Sequence, residues 1–295
     1  MRTFHGIWPA LVTPFSADDR VNPLVLRELV NYLVAKGVDG FYLCGSTGEG
    51  LYMSVQEREQ VAETVLEQVK GRVPVIVHVG AVATRDSVRL ARHARQVGAA
   101  AVSSILPPVL RDSRGIITHF EQIAAAVPDL PFLPYIFGGP NDAVALLHQL
   151  SHIPNLAGTK YTGPNMDELS RIVSLRSEGW TVFSGMDEQY LFAAMCGASG
   201  GIGSTLNLMP GVYREIYCAH ATGDLARGLE LQMRANQVTT VLSKLGFLGA
   251  LKATMGILGF DCGRPRLPNL ALPDGAQDRL RSSLEAVGFA ELAGM

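Results

Sequence analysis

Short apolar runs and longer amphipathic stretches alternate along the chain, and that alternation predicts its architecture. Residues 7–13, Ile-Trp-Pro-Ala-Leu-Val-Thr, form the first strand-like run. Asn22-Pro23 then gives a capping residue followed by proline in the first turn of a helix. In that helix Leu26, Leu29, Val30, Leu33 and Val34 repeat at the spacing of one apolar face, and Gly37 can take the left-handed conformation that stops it. The unit recurs: residues 40–44 form a second strand, and Ser54 with Glu57 makes a capping box that opens a helix running toward Gly71.

Further strands are predicted at 74–80, 100–105, 131–135, 156–162, 181–184 and 201–204. Between them lie helices at 84–98, 115–126, 143–150 and 165–175, and one through Tyr190, Leu191 and Ala194; Asn165 and Glu168 read as a second capping pair. Eight strands alternating with amphipathic helices demand parallel pairing, and the expected fold is α/β, a (β/α)8 barrel. From Met209 onward the chain reads as helical, with breaks near Gly246 and across residues 265–273. Residues 1–208 are therefore assigned to the barrel, and 209–295 to its last helix and a C-terminal helical extension of the same structural unit.

Composition narrows the function classes. The 295 residues are 47% hydrophobic and 18% charged, a low charged content that points to self-association. A net charge of −2 offers no basic field for nucleic acid, and no run of like charges suggests a membrane patch. No stretch approaches the roughly 18 apolar residues that span a bilayer, and no signal-peptide layout opens the chain, so a cytoplasmic protein is expected. Cys44, Cys196, Cys218 and Cys262 have no paired spacing, and the histidines show no metal-ligand pattern; no metal is expected.

One residue resists a structural account. Lys160 lies inside the apolar strand Leu-Ala-Gly-Thr-Lys-Tyr-Thr, where an unpaired ammonium would cost several kcal/mol and the usual escape is loss of the proton. A neutral lysine is a nucleophile, so Schiff-base chemistry on a carbonyl substrate is the first expectation. Barrels carry their chemistry at the carboxyl ends of the strands, and polar residues collect there. Strand two ends in Gly45-Ser46-Thr47-Gly48-Glu49-Gly50, strand five in Tyr135, strand six in Lys160 and Thr162, and Gly185-Met-Asp187-Glu188 and Gly203-Ser204-Thr-Leu-Asn207 follow strands seven and eight.

Each has a plainer reading. The glycine-rich loop lacks the Gly-Lys-Ser/Thr of a phosphate loop and can be a tight turn, Tyr135 a core aromatic, Asp187 and Glu188 helix caps, Ser204 and Asn207 turn residues. His78 reads as a satisfied core histidine. The joint placement favours function.

Gly45-Ser-Thr-Gly-Glu49, Tyr135, the Gly-x-Lys-x-Thr segment around Lys160, and Gly203-Ser-Thr205 together resemble the pyruvate-dependent class I aldolase family, the group of the N-acetylneuraminate lyases and dihydrodipicolinate synthases. The resemblance covers nearly the whole chain and looks closest to the sialic acid lyase branch. It implies a homotetrameric barrel acting on a small-molecule oxo-acid, with no cofactor beyond the covalent lysine imine. By the same resemblance Lys160 is the Schiff-base lysine, Tyr135 the proton shuttle, and Ser46 and Thr47 the residues holding pyruvate's carboxylate and relaying protons. Thr162 supports the site, while Gly185, Asp187, Glu188 and Ser204 contact sugar hydroxyls.

Two departures stand out. No arginine follows Tyr135 in Ile136-Phe-Gly-Gly-Pro140, which argues against the synthase, and residues 107–110 lack the tyrosine that those enzymes lend to a neighbouring subunit. The other readings are aldolases for 2-keto-3-deoxy sugar acids or 4-hydroxy-2-oxo acids, and a pyruvate-binding regulatory barrel without turnover.

Overall fold

The computed structural model describes residues 4–109, 112–138, 142–175 and 179–295. Eight parallel strands form one sheet: β1 (Gly6–Pro9), β2 (Phe41–Leu43), β3 (Val75–His78), β4 (Ala101–Ile105), β5 (Phe132–Phe137), β6 (Gly158–Thr162), β7 (Thr181–Ser184) and β8 (Gly200–Gly203). From β2 to β8 each strand pairs with the next in sequence, and β1 pairs with β8. A single bridge between Ala10 and Tyr42 joins β1 to β2, so the predicted barrel closes.

Helices α1 (Pro23–Ala35), α2 (Val55–Val69), α3 (Thr84–Gln96), α4 (Ser113–Ala125), α5 (Ala143–Leu150), α6 (Met166–Ser174), α7 (Tyr190–Met195) and α8 (Pro210–Thr222) follow the strands in turn. The extension comprises α9 (Leu225–Lys244), α10 (Phe247–Ile257), α11 (Gln277–Ala286) and α12 (Phe289–Gly294). No described helix is long and apolar enough to cross a membrane.

Strand alternation sends one set of side chains inward and the other toward the helices. Trp8, Tyr42, Ile76, Ala101, Leu133, Phe183 and Ile202 pack as one buried cluster inside the barrel, and a larger cluster fills the layer between sheet and helices. Trp8 meets Phe183 edge-on with ring centroids 5.4 Å apart.

Three local differences from the sequence reading have identifiable causes. The first strand ends at Pro9, short of Thr13, because Asn207 takes over the backbone beyond it: Val12 N donates to Asn207 Oδ1 at 3.2 Å, and Asn207 Nδ2 donates to Ala10 O at 2.8 Å. Asn207 is thus a buried staple between chain segments rather than a turn residue. Helix α4 starts two residues earlier than expected, capped by Asp112, whose carboxylate accepts from Gly115 N at 2.8 Å.

The third concerns the capping pairs. Ser54 and Glu57 form the reciprocal box, at 3.2 and 2.8 Å. At α6 only half of it exists: Asn165 Oδ1 accepts from Glu168 N at 3.1 Å, but the Glu168 carboxylate turns away, accepting from Ala143 N at 3.0 Å and Tyr161 OH at 2.5 Å. An orphan amide in the first turn of α5 and a strand phenol outcompete its own helix terminus.

Candidate active site

Lys160 occupies the middle of β6, in register with Tyr135 on β5, and its side chain turns into the barrel. It is 5% exposed. The ammonium nitrogen lies 4.2 Å from the centre of the Tyr135 ring and 4.6 Å from that of Tyr42. No carboxylate among the described residues makes an ion pair with it. Burial pushes its pKa below the ordinary lysine value, opposed by the Tyr135 phenol and the charge of Asp187. The amine therefore gives up its proton more readily than a surface lysine, as a nucleophile requires. Tyr42 has its hydroxyl 3.0 Å from Ser103 Oγ, and burial raises its pKa well above the phenol range, so it stays neutral beside the amine.

Gly185 makes room for this side chain. A Cβ at that position would strike Thr162 Oγ1 and come within 2.9 Å of Lys160 Cε. Thr162 Oγ1 is buried without a hydrogen-bond partner, an unmet polar group at the cavity wall.

The strand-two loop is folded tightly over its own start. Gly50 N donates to Gly45 O and Glu49 N to Ser46 O, both at 3.1 Å, and a Cβ on Gly50 would run into the Cys44 carbonyl. This turn presents Ser46 and Thr47 at the mouth. Thr47 Oγ1 is 2.7 Å from Ser204 Oγ, which joins the ends of β2 and β8 across the barrel.

Asp187 and Glu188 sit in a short 3-10 turn before α7, and neither side chain caps it. Asp187 Oδ2 instead accepts from both the backbone N and Oγ1 of Thr205 at 2.8 Å, and Thr205 Oγ1 lies 2.7 Å from the Tyr213 hydroxyl. Helix α9 holds the turn from behind, with Gln232 Nε2 donating to Asp187 O at 2.9 Å and Asn236 Nδ2 to Glu188 O at 3.0 Å. Burial raises the Asp187 carboxyl to about 6, against the lowering effect of the Thr205 bonds.

The direction of that shift has a measurable consequence. A carboxyl whose folded pKa exceeds its unfolded value adds stability at low pH, and loses it as pH rises through the folded value. Asp187→Asn keeps an acceptor for Thr205 but has nothing to titrate. Thermal melts of the two proteins should therefore diverge in the variant's favour as pH climbs from about 4 to about 6.5; parallel curves would refute the assignment.

Lys160, Tyr135, Ser46, Thr47, Thr162, Gly185, Asp187, Glu188 and Ser204 all line one cavity of about 660 Å³, so the predicted residues converge. The extension adds Phe247, Leu248, Asn269 and Leu270 to its outer wall, and β5 adds Phe137. Sequence reasoning missed the four residues of the extension, while Phe137 belongs to the stretch after Tyr135 already noted. Nothing in the local pattern of those four marks them as cavity residues. Leu110, Gly139 and Pro140, part of the two departures noted above, lie outside the described residues.

His78, at the end of β3, is satisfied on both ring nitrogens: Nδ1 is 2.9 Å from Cys44 O, and Nε2 accepts from Ile105 N at 3.0 Å. That pattern requires the neutral ring protonated on Nδ1, and burial keeps its pKa well below the ordinary value.

The chain matches the model of the dihydrodipicolinate synthetase family over residues 3–287. It is 35% identical to the N-acetylneuraminate lyase of Rhizobium meliloti over 287 residues, which cover 96% of this chain and 95% of that protein. Among solved structures, Proteus mirabilis N-acetylneuraminate lyase superposes with a TM-score of 0.93 at 31% identity, covering 98% of this chain and 100% of that one. The N-acetylneuraminate lyase of Aliivibrio salmonicida gives 0.93 at 30% identity over 98% of each chain. With an eightfold barrel, a buried lysine facing a tyrosine, and similarity over nearly the whole chain, this chain belongs to the dihydrodipicolinate synthetase family.

Proposed function

We propose that the protein is a carbon–carbon lyase that cleaves N-acetylneuraminate reversibly to N-acetylmannosamine and pyruvate through an imine on Lys160. The observation that carries this reading is the Lys160 amine: buried, free of any described carboxylate, and set against Tyr135 at the floor of a cavity large enough for a sugar acid.

The neutral amine attacks the keto carbon, and the adduct takes up a solvent proton and loses water to give a protonated imine. Its positive nitrogen draws in the electrons of the bond between the third and fourth carbons, while Tyr135 relays the proton of the hydroxyl on the fourth, passing on its own as it takes that one. The aldehyde leaves. The remaining enamine takes a proton at its terminal carbon, and water releases pyruvate and restores Lys160. Ser46, Thr47 and the backbone amides of their loop hold the carboxylate and so aim the keto carbon at Nζ. Glu188, the second carboxyl oxygen of Asp187, the unmet hydroxyl of Thr162 and Ser204 face the sugar hydroxyls, since carboxylates and hydroxyls accept hydrogen bonds from vicinal diols.

A substrate panel tests the acceptor. Cleavage of N-acetylneuraminate should exceed that of 2-keto-3-deoxygluconate and 4-hydroxy-2-oxoglutarate in kcat/KM by at least about 100-fold, the discrimination expected where polar groups of the site are left unpaired by a shorter substrate. Preference for either shorter acid would move the protein to another branch of the same chemistry. Pyruvate binding with no cleavage of any of the three would make it a regulatory barrel.

The homotetramer is proposed on the same footing. It is supported by Leu225, Leu229 and Met233, an exposed apolar stripe at helical spacing on α9, beside the exposed Phe192 and Met195 of α7.

A further inference from the structure

A buried ion pair outside the cavity grips the loop that carries Ser46 and Thr47. Glu49 closes that loop. It is fully enclosed, its backbone is left-handed at φ 56°, and it is not among the residues that line the cavity. Its Oε1 lies 2.6 Å from Nζ of Lys252 on α10, with the two side chains 0% and 1% exposed. Its Oε2 accepts from the backbone N of Arg266 at 2.6 Å. The Lys252 nitrogen also stands 4.1 Å over the Phe15 ring.

Two charges taken out of water this completely gain little net stability, because desolvation offsets their attraction. Such a pair serves better to fix one segment against another. On one side Glu49 N is bonded to Ser46 O, so the carboxylate anchor and the hydroxyl loop move as one. On the other, α10 begins with Phe247 and Leu248, and the chain after Arg266 continues to Asn269 and Leu270, all four on the cavity's outer wall. The Arg266 guanidinium is itself fixed by Glu57 and Asp19. The pair thus ties together two walls of one cavity that are separated by about 200 residues of chain.

We propose that Glu49 and Lys252 are positioning residues that set the carboxylate-holding loop against the wall formed by the extension, so that losing their link weakens capture of the keto acid more than it slows the chemistry. This rests on reading Lys160 as the imine-forming lysine and Ser46-Thr47 as the carboxylate loop.

The test compares Lys252→Met, the double variant Glu49→Gln with Lys252→Met, and Lys252→Arg. Two readouts apply: steady-state KM and kcat for N-acetylneuraminate, and the pyruvate concentration that gives half-maximal borohydride trapping on Lys160. Lys252→Met strands a buried carboxylate and can fail to fold; the double variant strands none. It should fold, raise KM and the half-trapping concentration about tenfold or more, and keep kcat within about threefold. Lys252→Arg should recover part of the loss. A double variant with half-trapping within about twofold of the native protein overturns the proposal, as does loss of kcat at unchanged KM, or failure of the double variant to fold. Absence of trapping in the unaltered protein would overturn the reading of Lys160 first, and is seen before any variant is made.

Discussion

Lys160→Ala is expected to abolish carbon–carbon cleavage, lowering kcat on the order of 10⁶-fold, the scale seen when a covalent nucleophile is removed from a site whose residues act as a unit. No other described amine lines the cavity, so nothing inherits the role. The fold should survive. The lost amine is one whose charged form burial already disfavours, and Tyr135 and Tyr42 are held by their own packing, with ring centroids 6.4 Å apart. Borohydride with pyruvate should add a pyruvyl group to the native protein and none to the variant. An adduct of equal yield on the variant would place the imine elsewhere and end the mechanism.

The second large effect belongs to Tyr135→Phe. Loss of the phenol removes the acid–base group, a role typically worth about 10²- to 10⁴-fold, while the ring still packs edge-on to Tyr42 and His78. Imine formation should persist. The phenol also opposes the burial that depresses the Lys160 pKa, so its loss should shift the pH dependence of pyruvate trapping to lower pH, where more of the amine becomes neutral. Trapping lost together with cleavage would make Tyr135 part of imine formation and not a proton shuttle. Native-like cleavage would exclude it altogether.

The barrel was legible because its signals are local. Apolar runs mark β2 through β8, Ser54 and Glu57 mark the start of α2, and Lys160 stands out against the apolar strand that holds it. The convergence of the candidate residues was legible for the same reason, since they lie on or just after strands that open on one mouth. What escaped depends on partners far away in the chain. Asn207 looked like a turn residue until its amide met the backbone of Ala10 and Val12, and Glu168 looked like half of a capping box until it met Ala143 and Tyr161. Glu49 read as part of a loop motif, and Lys252, within a stretch read only as helical, drew no attention; folding brings them within 2.6 Å. Phe247, Leu248, Asn269 and Leu270 reach the cavity from an extension whose helical pattern says nothing about which end faces the barrel.

The seam of the barrel falls at an informative place. Its hoop is continuous except between β1 and β2, which meet at the lone bridge of Ala10 with Tyr42, backed by Leu11 N donating to Tyr42 O at 2.9 Å. Ala10 borders the cavity and the Tyr42 ring lies 4.6 Å from the Lys160 amine, so the join that completes the cylinder is also a wall of the candidate site. Residues at that join are thus shared between closing the scaffold and shaping the cavity around the Lys160 amine.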